Sequence, residues 1–357
     1  MEETAKKKLR NYALVEGYLR ECYLKEGVSN GKECISGDVV VSINRFNAQR
    51  VRVWAFATKN DGTKNKAYES LKSLLDSKVV TIASYVNSLG QEDADIESMD
   101  EAIWEGAIKV ATKVWFSGSV EEYATISTDD NNKEHETSSF SLRATNGSVR
   151  RENDKRPFVP HSKVEIDGSI LAIRDEQKND ENGEPVETGR VIVDYLYIDY
   201  KGIGHKFKLY AGTDHIDPKN PKSATFADYI KDNYEVGQTA DFNASVFNLA
   251  EKKTIASKNV GWGQSSSPLV VTRFSHELRI YGARSAKGLD DDAPGYITKE
   301  QVTDASTKRR INAKENWERS QKRKNAVSAP KHSEPVKGFG NPTGPVDDFV
   351  VPEFVDF

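Results

Sequence analysis

From Lys163 to Asp175, apolar and polar residues alternate with a period of two, and Gly189–Tyr200 and His205–Ala211 are further runs of β-branched and aromatic residues. Such runs predict strands, because successive side chains of a strand point to opposite faces. "FADYIKDNYEVG" then predicts a short helix closed by Gly237, followed by strands at Thr239–Leu249 and Leu269–Gly282. The first half has the same order. Strands are expected at Tyr12–Leu24, Gly37–Asn44 and Gln49–Thr58, a helix at Ala67–Asp76, and strands at Lys113–Thr128 and Ser139–Val149.

The two halves read as one unit written twice. "LVEGYL" (14–19) matches "EIDGSI" (165–170), and "RVRVWA" (50–55) matches "KFKLYA" (206–211) in the kind of residue at each position. "FSGSV" (116–120) matches "FNASV" (242–246), and "FSLR" (140–143) and "FSHELR" (274–279) follow them. Four matched pieces in preserved order indicate duplication. Three strands, a helix and two strands is the order of an OB-fold, a five-stranded Greek-key barrel. Gly17 and Gly168 fall in the first strand of each unit, where the strand must bend to serve both sides of the barrel. The expected fold is therefore mainly β: two OB-fold-like five-stranded barrels in tandem with small helices, then a basic segment and a disordered acidic tail. Their bounds are 10–152, with an insertion at about 89–111, then 160–286, 287–329 and 330–357, with the folded part stopping near Lys287.

Charge sharpens that division. The 357-residue chain carries a net charge of -4, but residues 298–338 hold eleven Lys and Arg against five Asp and Glu. Thr298 and Gln301 make a capping box at the start of a basic helix expected over 298–323. "APKHSEPVKGFGNPTGPVDD" reads as a flexible linker. The closing "VDDFVVPEFVDF" alternates Asp347, Asp348, Glu353 and Asp356 with Phe349, Phe354 and Phe357. An acidic segment with an apolar end suits capture by a basic pocket with a hydrophobic floor. No run of about 18 apolar residues or secretory leader is read, and Cys22 and Cys34 have no metal or redox spacing, so a reducing, cytoplasmic setting is expected.

The third strand of each unit carries the candidate chemistry. Period two puts Val51, Val53 and Ala55 inside, leaving Arg50, Arg52, Trp54 and Phe56 outside. In the second unit Phe207 and Leu209 point in, and Lys206, Lys208 and Tyr210 point out. Cations that follow phosphates, interleaved with rings that stack on unpaired bases, suit a single-stranded nucleic acid. Arg45 and Phe46 occupy the preceding turn. Tyr197, with Tyr195 and Tyr200, is either groove-lining or core. Trp262, between two glycines, is either a ligand clamp or a buried staple. An enzyme is not expected: His135, His161, His205, His215, His276 and His332 lack metal or nucleophile spacing, and no cofactor or metal motif occurs.

Tandem OB-like units, a basic spacer, a Pro/Gly linker and an acidic tail ending in Phe resemble a single-stranded DNA-binding protein of the phage type. The resemblance implies binding without sequence preference in DNA replication, recombination and repair, with recruitment of replication and recombination proteins by the tail. Bacterial members close on Pro-Phe, whereas Asp356 precedes Phe357 here, so the partner's identity does not carry over. A virion or assembly protein whose tail docks on a neighbouring subunit is the alternative, and an RNA-binding OB protein is another. Oligomeric state is not legible.

Overall fold

The computed structural model describes residues 9–90, 100–129, 131–151, 154–180, 183–255, 269–287 and 295–328. The first half comprises β1 (Asn11–Cys22), β2 (Lys25–Ser29), β3 (Lys32–Asn44) and β4 (Asn47–Phe56), helices α1 (Lys66–Asp76), α2 (Ile82–Ser88) and α3 (Glu101–Val110), then β5 (Lys113–Thr128) and β6 (Glu134–Val149). The second comprises β7 (His161–Asn179), β8 (Pro185–Ile198), β9 (Gly204–Ala211), α4 (Phe226–Asn233), β10 (Thr239–Ile255) and β11 (Leu269–Lys287), and α5 (Lys299–Ser328) follows. The architecture is mainly β, as the alternation required. One compact unit ends at Trp317 and a second begins at Glu318.

Each half closes on itself. β1 pairs antiparallel with β3 and β5, β3 with β4 and β5 with β6, while β4 and β6 run parallel to complete the ring. In the second half β7 pairs with β8 and β10, β8 with β9 and β10 with β11, and β9 and β11 run parallel. This is the OB closure, twice. Val51, Val53 and Ala55 are buried inside the first barrel, and Phe207, Leu209 and Ala211 inside the second. Helix α1 turns Tyr68, Leu71 and Leu74 inward and α4 turns Ala227 and Ile230 inward, each adding to the core.

The duplication is visible in backbone detail. A Cβ on Gly17 would stand 2.4 Å from the Ser42 carbonyl oxygen, and one on Gly168 2.4 Å from that of Leu196. Register then shifts after Leu19 in β1 and after Ile170 in β7. The barrels join edge to edge through β1 and β7. Ala13 faces Val164, flanked by Tyr12–Glu165 and Leu14–Lys163. Ala13 and Val164 occupy the same position relative to their bend glycines, so an approximate two-fold axis relates the halves. Across that axis Phe140 and His276, equivalent residues of β6 and β11, meet edge to face with ring centroids 5.9 Å apart.

Three expectations need correction. The first half has an extra strand, β2, paired with the start of β3; its exposed "KEGVS" lacks the apolar alternation that marks a barrel strand. The third-strand match is slipped by two residues. The parallel ladders set Val51 opposite Leu142 and Leu209 opposite Leu278, so Arg50 corresponds to Lys208 and Arg52 to Tyr210. A two-residue slip keeps every side chain on its face, so alternation cannot detect it. Finally, the fold does not stop near Lys287. The Ile297 amide donates to Thr239 Oγ1 at 2.8 Å, and Ala305, Arg309 and Ala313 of α5 are buried. The buried stripe consists of two alanines around an arginine, which no hydrophobic pattern reports. At the helix start Thr298 and Gln301 cap each other reciprocally.

Candidate functional site

Strand β4 exposes its outer face because every second residue is consumed by the barrel interior. Arg50 and Arg52 are exposed, and both lean on Asp38 of β3, with Arg50 Nη2 2.8 Å and Arg52 Nε 3.9 Å from its carboxylate. Trp54 and Phe56 are half-buried and pack edge to face at 5.9 Å. The two-residue β3–β4 turn lifts Phe46 into solvent, 63% exposed, with the Arg45 guanidinium 5.2 Å from its ring centre. The first barrel thus brings Arg45, Phe46, Arg50, Arg52, Trp54 and Phe56 onto one hairpin.

The second barrel arranges its residues differently. Lys208 is exposed, Lys206 and Tyr210 are half-buried, and the Lys206 amide donates to Glu122 of the first barrel at 2.8 Å. The Arg190 guanidinium lies 4.8 Å from the Tyr210 ring centre. Burial pushes the Tyr210 hydroxyl pKa up, and the neighbouring Glu277 and Glu176 carboxylates push it further. Tyr195 is a core residue: it is wholly buried and its hydroxyl donates to the Ala240 carbonyl at 2.5 Å. Tyr197 is half-buried beside His205, with its hydroxyl pKa raised by burial, and Tyr200 is exposed. Trp262 lies outside the described residues, as do Asp347, Asp348, Phe349, Glu353, Phe354, Asp356 and Phe357.

A cleft of about 810 Å³ runs along this second face. Residues 136–140 of β6 line it, together with Arg174, Lys206, Lys208 and Tyr210 from the second barrel. Arg309 lines it from α5. Its Nη2 is 2.5 Å from Glu122 and 2.6 Å from Glu136, so α5, the β5–β6 hairpin and β9 meet at one charged knot. Arg310 and Lys314 reach Glu134 from the same helix, at 2.6 and 2.8 Å. The basic block is therefore partly spent on the protein's own carboxylates. Sequence reasoning did not single out Arg174, Arg190 and Arg309 as site residues, because the carboxylates that hold them, Asp194, Glu277 and Glu122, come from other strands.

Among the described residues no cluster of His, Cys, Asp or Glu could hold a metal, and no helix is long and apolar enough to cross a membrane. A family model described as YorF matches residues 10–322. No curated protein matches the chain. Among solved structures, the wild-type single-stranded DNA binding protein from Thermus aquaticus aligns at 10% identity with a TM-score of 0.37, covering 81% of this chain and 98% of its own. A deletion mutant of that protein, delta 228-252 R190A, aligns at 10% and 0.37, covering 80% and 98%. The OB assignment rests on the strand pairings above.

Proposed function

The chain belongs to the YorF family, and we propose that it is a non-enzymatic protein that binds single-stranded DNA without sequence preference. The observation that supports this reading is the pair of equivalent barrel faces, each combining strand cations with an aromatic ring. Arg50 and Arg52 on β4, and Lys206 and Lys208 on β9, would follow phosphates. Trp54 and Tyr210 would stack on bases, and a ring face accepts any base, which is why no sequence is preferred. Titrating the tryptophan fluorescence with poly-dT tests it. Saturable quenching that weakens with salt is expected; the absence of both quenching and a mobility shift with an unstructured oligonucleotide at low salt would refute it.

Asp38 sets the charge of the first face. It neutralises part of the Arg50–Arg52 pair, so Asp38→Asn should tighten oligonucleotide binding and steepen the fall of log affinity with log salt. One phosphate contact on a single strand is worth a slope of roughly 0.7. An unchanged slope in a folded variant would remove Arg50 and Arg52 from the interface.

In our reading the protein serves phage-type DNA replication and recombination in a bacterial cytoplasm, and residues 339–357 recruit replication and recombination proteins. The alternation of four acids with three phenylalanines supports this. Truncation after Gly338 should abolish recruitment. It should also tighten oligonucleotide binding at low salt, because an acidic segment competes with DNA for the same cations, and screening over about 8 Å at physiological ionic strength should erase that gain. Phe357→Ala should lose partners while leaving DNA affinity almost unchanged, since every charge remains. Pull-down and anisotropy measurements on the two variants check both effects.

A further inference from the structure

The outer face of the second barrel carries an ordered row of five side chains across β8, β9, β11 and β10. Glu277 is at its centre, 6% exposed. Its Oε2 accepts from Arg190 Nη2 at 2.8 Å and from Arg279 Nε at 3.1 Å. Each arginine in turn lies against a ring: Arg190 is 4.8 Å from the centre of Tyr210, and Arg279 is 4.2 Å from that of Phe247. Arg190 is steadied further by Glu176, at 3.4 Å, whose Oε2 also accepts from Thr188 Oγ1 at 2.7 Å. A single buried carboxylate thus sets two guanidinium planes, and these set two aromatic rings, of which Tyr210 also lines the cleft.

The barrel does not need these rings in order to close. In the first barrel the position of Tyr210 is held by Arg52 and that of Phe247 by Glu121, while Arg143 stands where Arg279 does. There the same lattice is filled by an ion pair, with Arg143 Nη1 donating to Glu121 at 2.9 Å. Two rings replace two charges only on the second barrel, and both are partly open to solvent. A ring backed by a cation on one side is held still, which lowers the ordering cost when a base stacks on it.

We propose that Phe247 and Tyr210 form a two-ring stacking platform for unpaired nucleobases on the second barrel, and that Glu277 is the positioning residue that aligns both through Arg279 and Arg190. The proposal rests on the single-stranded DNA reading above and adds Phe247, which the sequence did not single out. It also makes the two barrels unequal at equivalent positions: where the first has Arg52 and Glu121, the second has the rings of Tyr210 and Phe247.

A dT oligonucleotide carrying 5-iodouracil, crosslinked to the full chain by near-ultraviolet light and mapped by mass spectrometry, tests this. In the unmodified protein, crosslinks at Phe247, Tyr210 and Trp54 are expected. Glu277→Gln should lower the yield at Phe247 and Tyr210 by about tenfold while leaving Trp54 unchanged. Phe247→Leu should weaken dT binding by about tenfold with no change in salt slope, because stacking involves no counterion. If Glu277→Gln does not fold, Arg279→Gln, on a more exposed residue, should reduce the Phe247 crosslink alone. Crosslinks at Trp54 with none on the second barrel, or equal yields in Glu277→Gln, would overturn the platform and leave DNA binding standing. Absence of binding and of every crosslink would overturn both.

Discussion

Arg309→Met should lower the unfolding free energy by about 3–5 kcal/mol, read as a fall in the urea midpoint with an unchanged denaturant slope. Arg309 is 4% exposed and the Glu122 side chain 2% exposed, so methionine would leave a buried carboxylate without its charged partner. Removing one member of a buried pair costs far more than the pair is worth, because the desolvation penalty of the survivor is no longer offset. Combining Arg309→Met with Glu122→Gln should recover much of the loss. Arg310→Met, on an exposed residue paired with Glu134, should cost under about 1 kcal/mol.

The same knot has a pH signature. Burial opposes the charge on Arg309, but hydrogen bonds to Glu122 and Glu136 outweigh it and hold its pKa above the usual arginine value. In return the hydrogen bond from Arg309 holds the Glu136 carboxyl below the usual carboxylate range. A depressed carboxylate pKa contributes stability above its unfolded value, and that stability is lost as pH falls through the folded one. Stability should therefore drop on acidification below the ordinary Glu range, and the part due to Glu136 should vanish in Arg309→Met. Glu136 is 43% exposed, so solvent keeps that part small.

Trp54→Ala should weaken oligonucleotide binding by about 1–3 kcal/mol, roughly 5- to 150-fold, with the salt slope preserved. The ring stands half-buried on the outer face of β4, steadied by Phe56, while the core side of the strand is filled by Val51, Val53 and Ala55. Its loss should therefore not unfold the barrel. Arg52→Ala should behave in the opposite way, lowering the slope by roughly 0.7 for one lost phosphate contact. Trp54 and Tyr210 belong to different barrels, so the double variant should lose close to the sum of the two single losses. Circular dichroism and anisotropy across a salt series check these outcomes. Full affinity in a folded Trp54→Ala would exclude the first face from binding.

The mainly-β class, the duplication and the faces of β4 and β9 were all legible in the residues alone. The class and the faces follow from period-two alternation and the duplication from matched segments in the same order, and each of these is a property of short local stretches. The sequence could not determine the register between the repeats, because a slip of two residues leaves the alternation intact; only the parallel ladders matched Arg50 to Lys208. Nor could it show that Arg50 and Arg52 lean on Asp38, or that α5 is built into the compact unit through Ala305, Arg309 and Ala313. Residues 298–338 read as a basic block with an expected helix, yet Arg309 is the most deeply paired cation of the α5 knot, since burial of an arginine depends on carboxylates brought from β5 and β6. The row from Phe247 through Glu277 to Tyr210 is the extreme case. Its members come from four strands, and each is an ordinary residue in its own segment. Charge pairing and cation–ring contact act across space, so only barrel closure could assemble them.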